Sequence, residues 1–146
     1  MDLSYRILIY MHVLSAIGSI GPFFILLPII KKLPMVEGLV LEAYLDTFRS
    51  VVRFTKHAGH VLVGSGILLV IYGPWSWDTP WLIMTLFIMF LSLFFLARAF
   101  SPTLLKIADE GQDRVKLAAK LKRTLWNYLL LLMAMLWFMV VKPVLW

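Results

Sequence analysis

Long apolar blocks, separated by short charged segments, dominate the hydrophobic pattern of this 146-residue chain. Each block is close to the roughly 20 apolar residues that an α-helix needs to cross a hydrocarbon core of about 30 Å. The predicted spans are residues 5–30, 51–72, 81–100 and 124–141. The pattern therefore predicts an all-α membrane protein, a four-helix bundle that runs up and down across the bilayer as one domain, residues 1–146.

Two of the connecting segments are amphipathic. Residues 35–53 place apolar side chains at helical spacing opposite charged ones. Ser101-Pro102 favours the start of a new helix after the third span, Gly111 predicts a break, and the basic stretch 112–123 leads into the fourth span. We therefore expect short amphipathic cytoplasmic helices in the first and third loops.

The basic residues predict the orientation of the bundle. Twelve of the 14 lysines and arginines lie in segments 31–56 and 98–123, and the turn between the second and third spans has none. Because lysine and arginine accumulate in cytoplasmic loops, both termini are expected outside the cytoplasm, in an inner (plasma) membrane protein. The net charge of +6 fits basic loops beside anionic lipid, so membrane lipids are the expected partners and nucleic acid is not.

Composition limits the kinds of functional site that the chain can contain. Apolar residues make up 62% of the chain, and the absence of cysteine excludes disulfides and thiolate metal sites. The sequence contains no evident nucleophile–base set, phosphate-binding loop or pair of buried carboxylates. An enzyme acting on a lipid or porphyrin is therefore the weakest of the functional hypotheses.

Ionisable residues inside a membrane are costly and mark functional sites, so the three histidines are the main candidates. His12 shares one helical stripe of the first span with Ser15 and Ser19. In the second span a comparable stripe carries the remaining two histidines. That stripe is Arg53, His57, His60 and Gly64.

These two stripes predict a site for haem b, or for a metal ion, between the first and second spans. Imidazole binds haem iron, copper and zinc, and Arg53 or Lys56 could contact haem propionates. His12 and His60 are the better axial pair, because His57 lies deeper still below the outer surface by the helical rise. Copper is the weaker alternative, since methionine in an apolar span usually serves packing.

Two other interpretations stay open. The histidines could be structural, His12 bonding across to another helix and His57 meeting lipid phosphates beside Arg53 and Lys56. The chain would then be a non-enzymatic membrane subunit or a small transporter. Glycine-bearing faces could also join copies, so a homo-oligomer or a larger membrane complex is an open expectation.

The first span, His12-Val13-Leu14-Ser15-Ala16-Ile17-Gly18, resembles the opening of an uncharacterised family of small bacterial four-helix integral membrane proteins. Residues 61–69, which include Gly64 and Gly66, resemble the glycine-bearing second helix of that family. The group is distantly similar to copper-resistance D-type domains and to the haem-binding J-type protoporphyrinogen oxidase, which place a histidine early in their first span.

The resemblance implies haem or copper at the position that His12 matches. The chain departs from the J-type oxidase directly after that histidine, because the aromatic-rich stretch with a following arginine is missing. Oxidase activity is therefore not expected.

Overall fold

The computed structural model of the chain describes residues 2–109 and 113–145. Its helices are α1 (Leu3–Lys32), α2 (Gly38–Tyr72), α3 (Pro80–Ala99), α4 (Ser101–Ala108) and α5 (Arg114–Val141), with a single 3₁₀ turn at Leu33–Met35. Within the described ranges, four helical segments are long and apolar enough to cross a membrane. An all-α, multi-pass membrane protein is the architecture that these helices define.

The helix bounds extend several of the predicted spans. α1 runs without interruption through Pro22 and Pro28, as expected where neighbouring helices satisfy the backbone groups that proline leaves free. Residues 38–53 are not a separate helix, because they continue directly into the second span as the first half of α2. Ser101 starts α4, and the predicted break at Gly111 lies outside the described residues.

The helices pack as two pairs. α1 packs chiefly on α2 and α3 chiefly on α5, and contacts between α1 and α5 join the pairs. Asp2, the 73–79 turn and Lys142 lie around one end of the bundle, which we call the terminal end. At the opposite, basic end, the Arg114 guanidinium donates a hydrogen bond to the carbonyl of Val36 at 3.2 Å.

The core is densest in the half of the bundle towards the basic end. Phe23, Phe48, Phe100 and Tyr128 are buried there. The ring centroid of Phe23 lies 4.8 Å from that of Tyr128 and 5.9 Å from that of Phe100. Large buried side chains of this kind contribute most of the packing energy in a core. This half of the bundle is therefore closed.

Candidate functional site

The half of the bundle towards the terminal end is open and contains a cavity of about 1580 Å³. Residues of α1, α2, α3, α5 and the 73–79 turn line it, so all four spans bound the space. Most of the lining side chains are aliphatic or aromatic. Its polar or sulfur-bearing members include His12, Ser4, Tyr5, Thr85, Met89, Met135, Met139 and Lys142.

His12 projects into this cavity from α1. Its Nδ1 lies 3.0 Å from the hydroxyl of Ser65 on α2, and its Nε2 lies 3.4 Å from the sulfur of Met139 on α5. At a rise of about 1.5 Å per residue, His12 lies about 14 Å along α1 from its first residue, and Ser65 about 10 Å along α2 from its last. The imidazole therefore lies between three helices, well inside the span.

The hydrogen bonds of Ser65 determine which tautomer of His12 is present. A serine has one hydroxyl hydrogen, and Oγ of Ser65 is closest to the carbonyl of Val61, at 2.7 Å. The hydroxyl therefore donates to that carbonyl, as serines in membrane helices commonly do. Oγ then accepts from the Nδ1–H of His12, so Nε2 carries the imidazole lone pair; the tautomer is assigned from this geometry.

The Nε2 lone pair faces a partner that has no hydrogen to donate. Under this assignment neither Nε2 of His12 nor Sδ of Met139 carries a hydrogen, so no proton lies between them. A thioether sulfur is also only a weak acceptor. Two electron-pair donors at 3.4 Å suit an electrophile such as a metal ion. Histidines that bind metals similarly engage their other ring nitrogen in a hydrogen bond that orients the ring.

Gly66 makes room for the imidazole. A Cβ placed on Gly66 would lie 3.1 Å from Cε1 of His12, closer than ordinary van der Waals contact, whereas a Cβ on Gly64 would meet nothing within 4 Å. The glycine next to Ser65 in the chain is therefore part of the wall behind His12. Gly64 is exposed on the surface of the bundle.

The other predicted site residues do not join His12. Arg53, His57, His60 and Gly64 are all exposed and do not line the cavity. His60 and Ser65 are five residues apart, which places them about 140° apart around α2. Because Ser65 contacts His12, the predicted stripe lies on a different face of α2 from the residue that meets the imidazole. The rings of His57 and His60 are neighbours on that surface, with centroids 6.4 Å apart.

Ser15 and Ser19 are buried but are satisfied within α1. Their hydroxyls donate to the carbonyls of His12 and Ser15, at 2.9 and 2.8 Å. Neither side chain lines the cavity. These serines therefore keep the buried face of the helix small and hydrogen-bonded, and the structure gives them no contact with the candidate site.

No cluster of three or more His, Asp or Glu side chains suited to a metal occurs in residues 2–109 and 113–145. The metal-ligating groups beside His12 in the cavity are its own imidazole and the sulfurs of nearby methionines. Sequence reasoning missed Ser65 and Met139 as partners of His12. The small pair Ser65-Gly66, at helical spacing from Leu62 and Leu69, was the signal for Ser65. Met139 was considered only as one of several methionines that could bind copper, and nothing local in the sequence places it beside His12, 127 positions away.

Comparison with models of known families, with curated proteins and with solved structures gave no match. The site is therefore interpreted from its own geometry.

Proposed function

We propose that this chain is a haem-b-binding protein of the bacterial plasma membrane, with His12 as the iron ligand and the cavity at the terminal end as the binding site. The observation that carries the proposal is the state of His12. Its Nδ1 lies 3.0 Å from the hydroxyl of Ser65, and its Nε2 lies on the other side of the ring, 3.4 Å from the sulfur of Met139, which lines the cavity. That arrangement matches the orientation of imidazoles that bind iron or other metals.

The size of the cavity favours a macrocycle over a bare ion. Pockets for drug-sized ligands typically measure about 300–1,000 Å³, and this cavity measures about 1580 Å³. A single ion needs no such space. The largely apolar lining suits the porphyrin ring, which would lose its contact with water on binding.

The proposed ligand set differs from the pair of histidines that the sequence suggested. His60 and His57 lie on the exposed face of α2, so the proposed site uses His12 and neither of these two histidines. Met139 is a flexible side chain that either moves aside or supplies the opposite ligand.

The distribution of basic residues supports an orientation for the site. Lysine and arginine are concentrated at the basic end, and positively charged loops favour the cytoplasm. The cavity would then open towards the non-cytoplasmic side of the membrane, with the closed aromatic core towards the cytoplasm. Such a site suits electron transfer, sensing or haem handling at the outer face, and these roles require no catalytic residues.

A soft metal ion, Cu⁺ foremost, is the second candidate, and one distance favours it. The separation of 3.4 Å between Nε2 of His12 and the sulfur of Met139 is short enough for both atoms to hold one ion, which would be bound by an imidazole and a thioether. Thioether and imidazole ligands suit Cu⁺.

An absorption spectrum and a metal analysis of protein purified in mild detergent separate the two candidates. Haem b gives a Soret band and one iron per chain, whereas a copper site gives bound copper and no Soret band. Protein that carries neither, and that takes up neither haem nor Cu⁺ on addition, would contradict both candidates. It would instead favour a membrane subunit or small transporter with a structural His12.

A further inference from the structure

The mouth of the cavity carries a lysine in an uncommon conformation. Lys142 follows α5 with φ 49° and ψ 55°, and it is the one non-glycine residue with positive φ in the part of the chain that the structure describes. Left-handed backbone is unfavourable for a residue with a Cβ. Its N–H still donates to the carbonyl of Phe138 at 3.1 Å, as in an α-helix, and the left-handed backbone at Lys142 then ends α5. The lysine lies at the edge of the cavity.

Two tryptophans hold the ammonium group at this position. Nζ of Lys142 lies 3.9 Å from the ring centroid of Trp75 and 5.3 Å from that of Trp81. The two indoles pack edge to face, with centroids 5.2 Å apart. A cation over an indole face is attracted by the negative charge density of the ring, so the tryptophans favour this position for the ammonium of Lys142, which is an exposed residue.

No carboxylate of the described residues pairs with the ammonium of Lys142. Within residues 2–109 and 113–145, the structure contains no carboxylate at ion-pair distance from Lys142, although Asp2 also lines the cavity. Contact with a ring face supplies no hydrogen-bond acceptor, and an ammonium has three donors. An ammonium group whose hydrogen-bond donors have no acceptor in the ring contact, at the edge of an apolar cavity, suits an amphiphilic ligand with an apolar body and an anionic end.

We infer that Lys142 binds the carboxylate of the cavity's ligand. The inference rests on the proposed function and deepens it, because haem b carries two propionates on one edge of an apolar ring. Lys142 lies three residues, about one helical turn, from Met139, whose sulfur contacts His12. A ring coordinated at His12 therefore has its edge within reach of Lys142. This assignment replaces Arg53 and Lys56, which are exposed and do not line the cavity.

The test compares haem b with its dimethyl ester, in which the same ring carries no negative charge. Titrations follow the Soret band for wild type, Lys142→Gln and Lys142→Arg in detergent. Losing a hydrogen bond to a charged group typically weakens binding about tenfold or more. We expect that loss for haem b with Lys142→Gln, recovery with Lys142→Arg, and equal affinity of wild type and Lys142→Gln for the ester.

Arg6→Gln is the matched control, because Arg6 is the other basic residue at the terminal end, is exposed and does not line the cavity. It should leave both affinities unchanged. Equal weakening of haem b and ester by Lys142→Gln would overturn the inference and instead indicate a structural role for Lys142. No weakening of either would overturn it as well. If wild type binds neither compound, the proposed function itself fails, and the inference with it.

Discussion

The imidazole nitrogen Nε2 of His12 and the sulfur of Met139 meet at 3.4 Å across the cavity, although 127 positions separate the two residues in the chain. On the other side of the ring, Ser65 accepts the Nδ1 proton. These two contacts join the first, second and fourth spans at a single side chain. They make His12 the centre of the site. Substitutions beside its ring should therefore change how the site binds its ligand.

Replacing Gly66 with alanine should displace the imidazole. A Cβ at this position would lie 3.1 Å from Cε1 of His12, so the ring must shift and its hydrogen bond to Ser65 must lengthen. We expect haem affinity to fall about 10- to 100-fold, as for other changes behind a metal-binding histidine. Gly64→Ala is the matched control, since its Cβ meets open space, and it should keep wild-type affinity. Equal behaviour of the two variants would contradict the proposed wall.

Replacing Ser65 with alanine should release the His12 ring from its fixed tautomer. The hydroxyl accepts from Nδ1–H at 3.0 Å, and its removal should lower haem affinity about 10- to 100-fold. Nitrogen-15 NMR of isotope-labelled histidines in the apoprotein reports the tautomer of His12 directly. Ser92→Ala is the control, because the Ser92 hydroxyl is buried but bonds only to the carbonyl of Met89 in its own helix. A His12 with its proton on Nε2 in wild type would refute the assignment.

Replacing Thr55 with valine should preserve or increase stability. Thr55 is 1% exposed, and its hydroxyl is the one buried side-chain polar atom without a hydrogen-bond partner in the described part of the chain. An unpaired buried hydroxyl costs about 1–3 kcal/mol, so an isosteric methyl removes a penalty. Thr85→Val is the contrasting variant, because it loses a 2.7 Å hydrogen bond to the carbonyl of Trp81. Unfolding in detergent should show Thr55→Val at least as stable as wild type and Thr85→Val less stable.

The orientation of the bundle can be measured with single cysteines, since the natural chain has none. Ser76 in the turn at the terminal end and Thr47 in the first half of α2 are both exposed. We expect a membrane-impermeant maleimide to label Ser76→Cys in intact cells and Thr47→Cys only after the cells are opened. The reverse pattern would place the cavity on the cytoplasmic side.

The helices themselves could be predicted from the sequence because their signal is local. Apolar blocks of spanning length predicted four helices, and the described part of the chain contains four of the required length and apolarity. The amphipathic segment before the second span was also expected to be helical, and the structure joins it to that span as one helix, α2, from Gly38 to Tyr72. Boundaries of this kind depend on packing rather than on composition.

The candidate site could be predicted only in part. His12 was identified because a polar residue inside an apolar span stands out. On α2 the sequence favoured His60 because it is ionisable, whereas the structure places Ser65 and Gly66 beside the His12 ring. Nothing in their residue types distinguishes these two from other small residues. Met139 and Lys142 lie far from His12 in sequence, and their proximity depends on how α1 and α5 pack, which no local pattern records.

The most direct test of the account is a haem titration of three proteins. These are wild type, His12→Ala, and the double variant His57→Ala/His60→Ala, each checked for helical content. We expect a Soret shift typical of imidazole-bound haem in wild type and in the double variant. In His12→Ala this shift should be lost, and adding free imidazole should restore it in part. Retained coordination in His12→Ala, or its loss in the double variant alone, would contradict the claim that His12 is the ligand of this cavity.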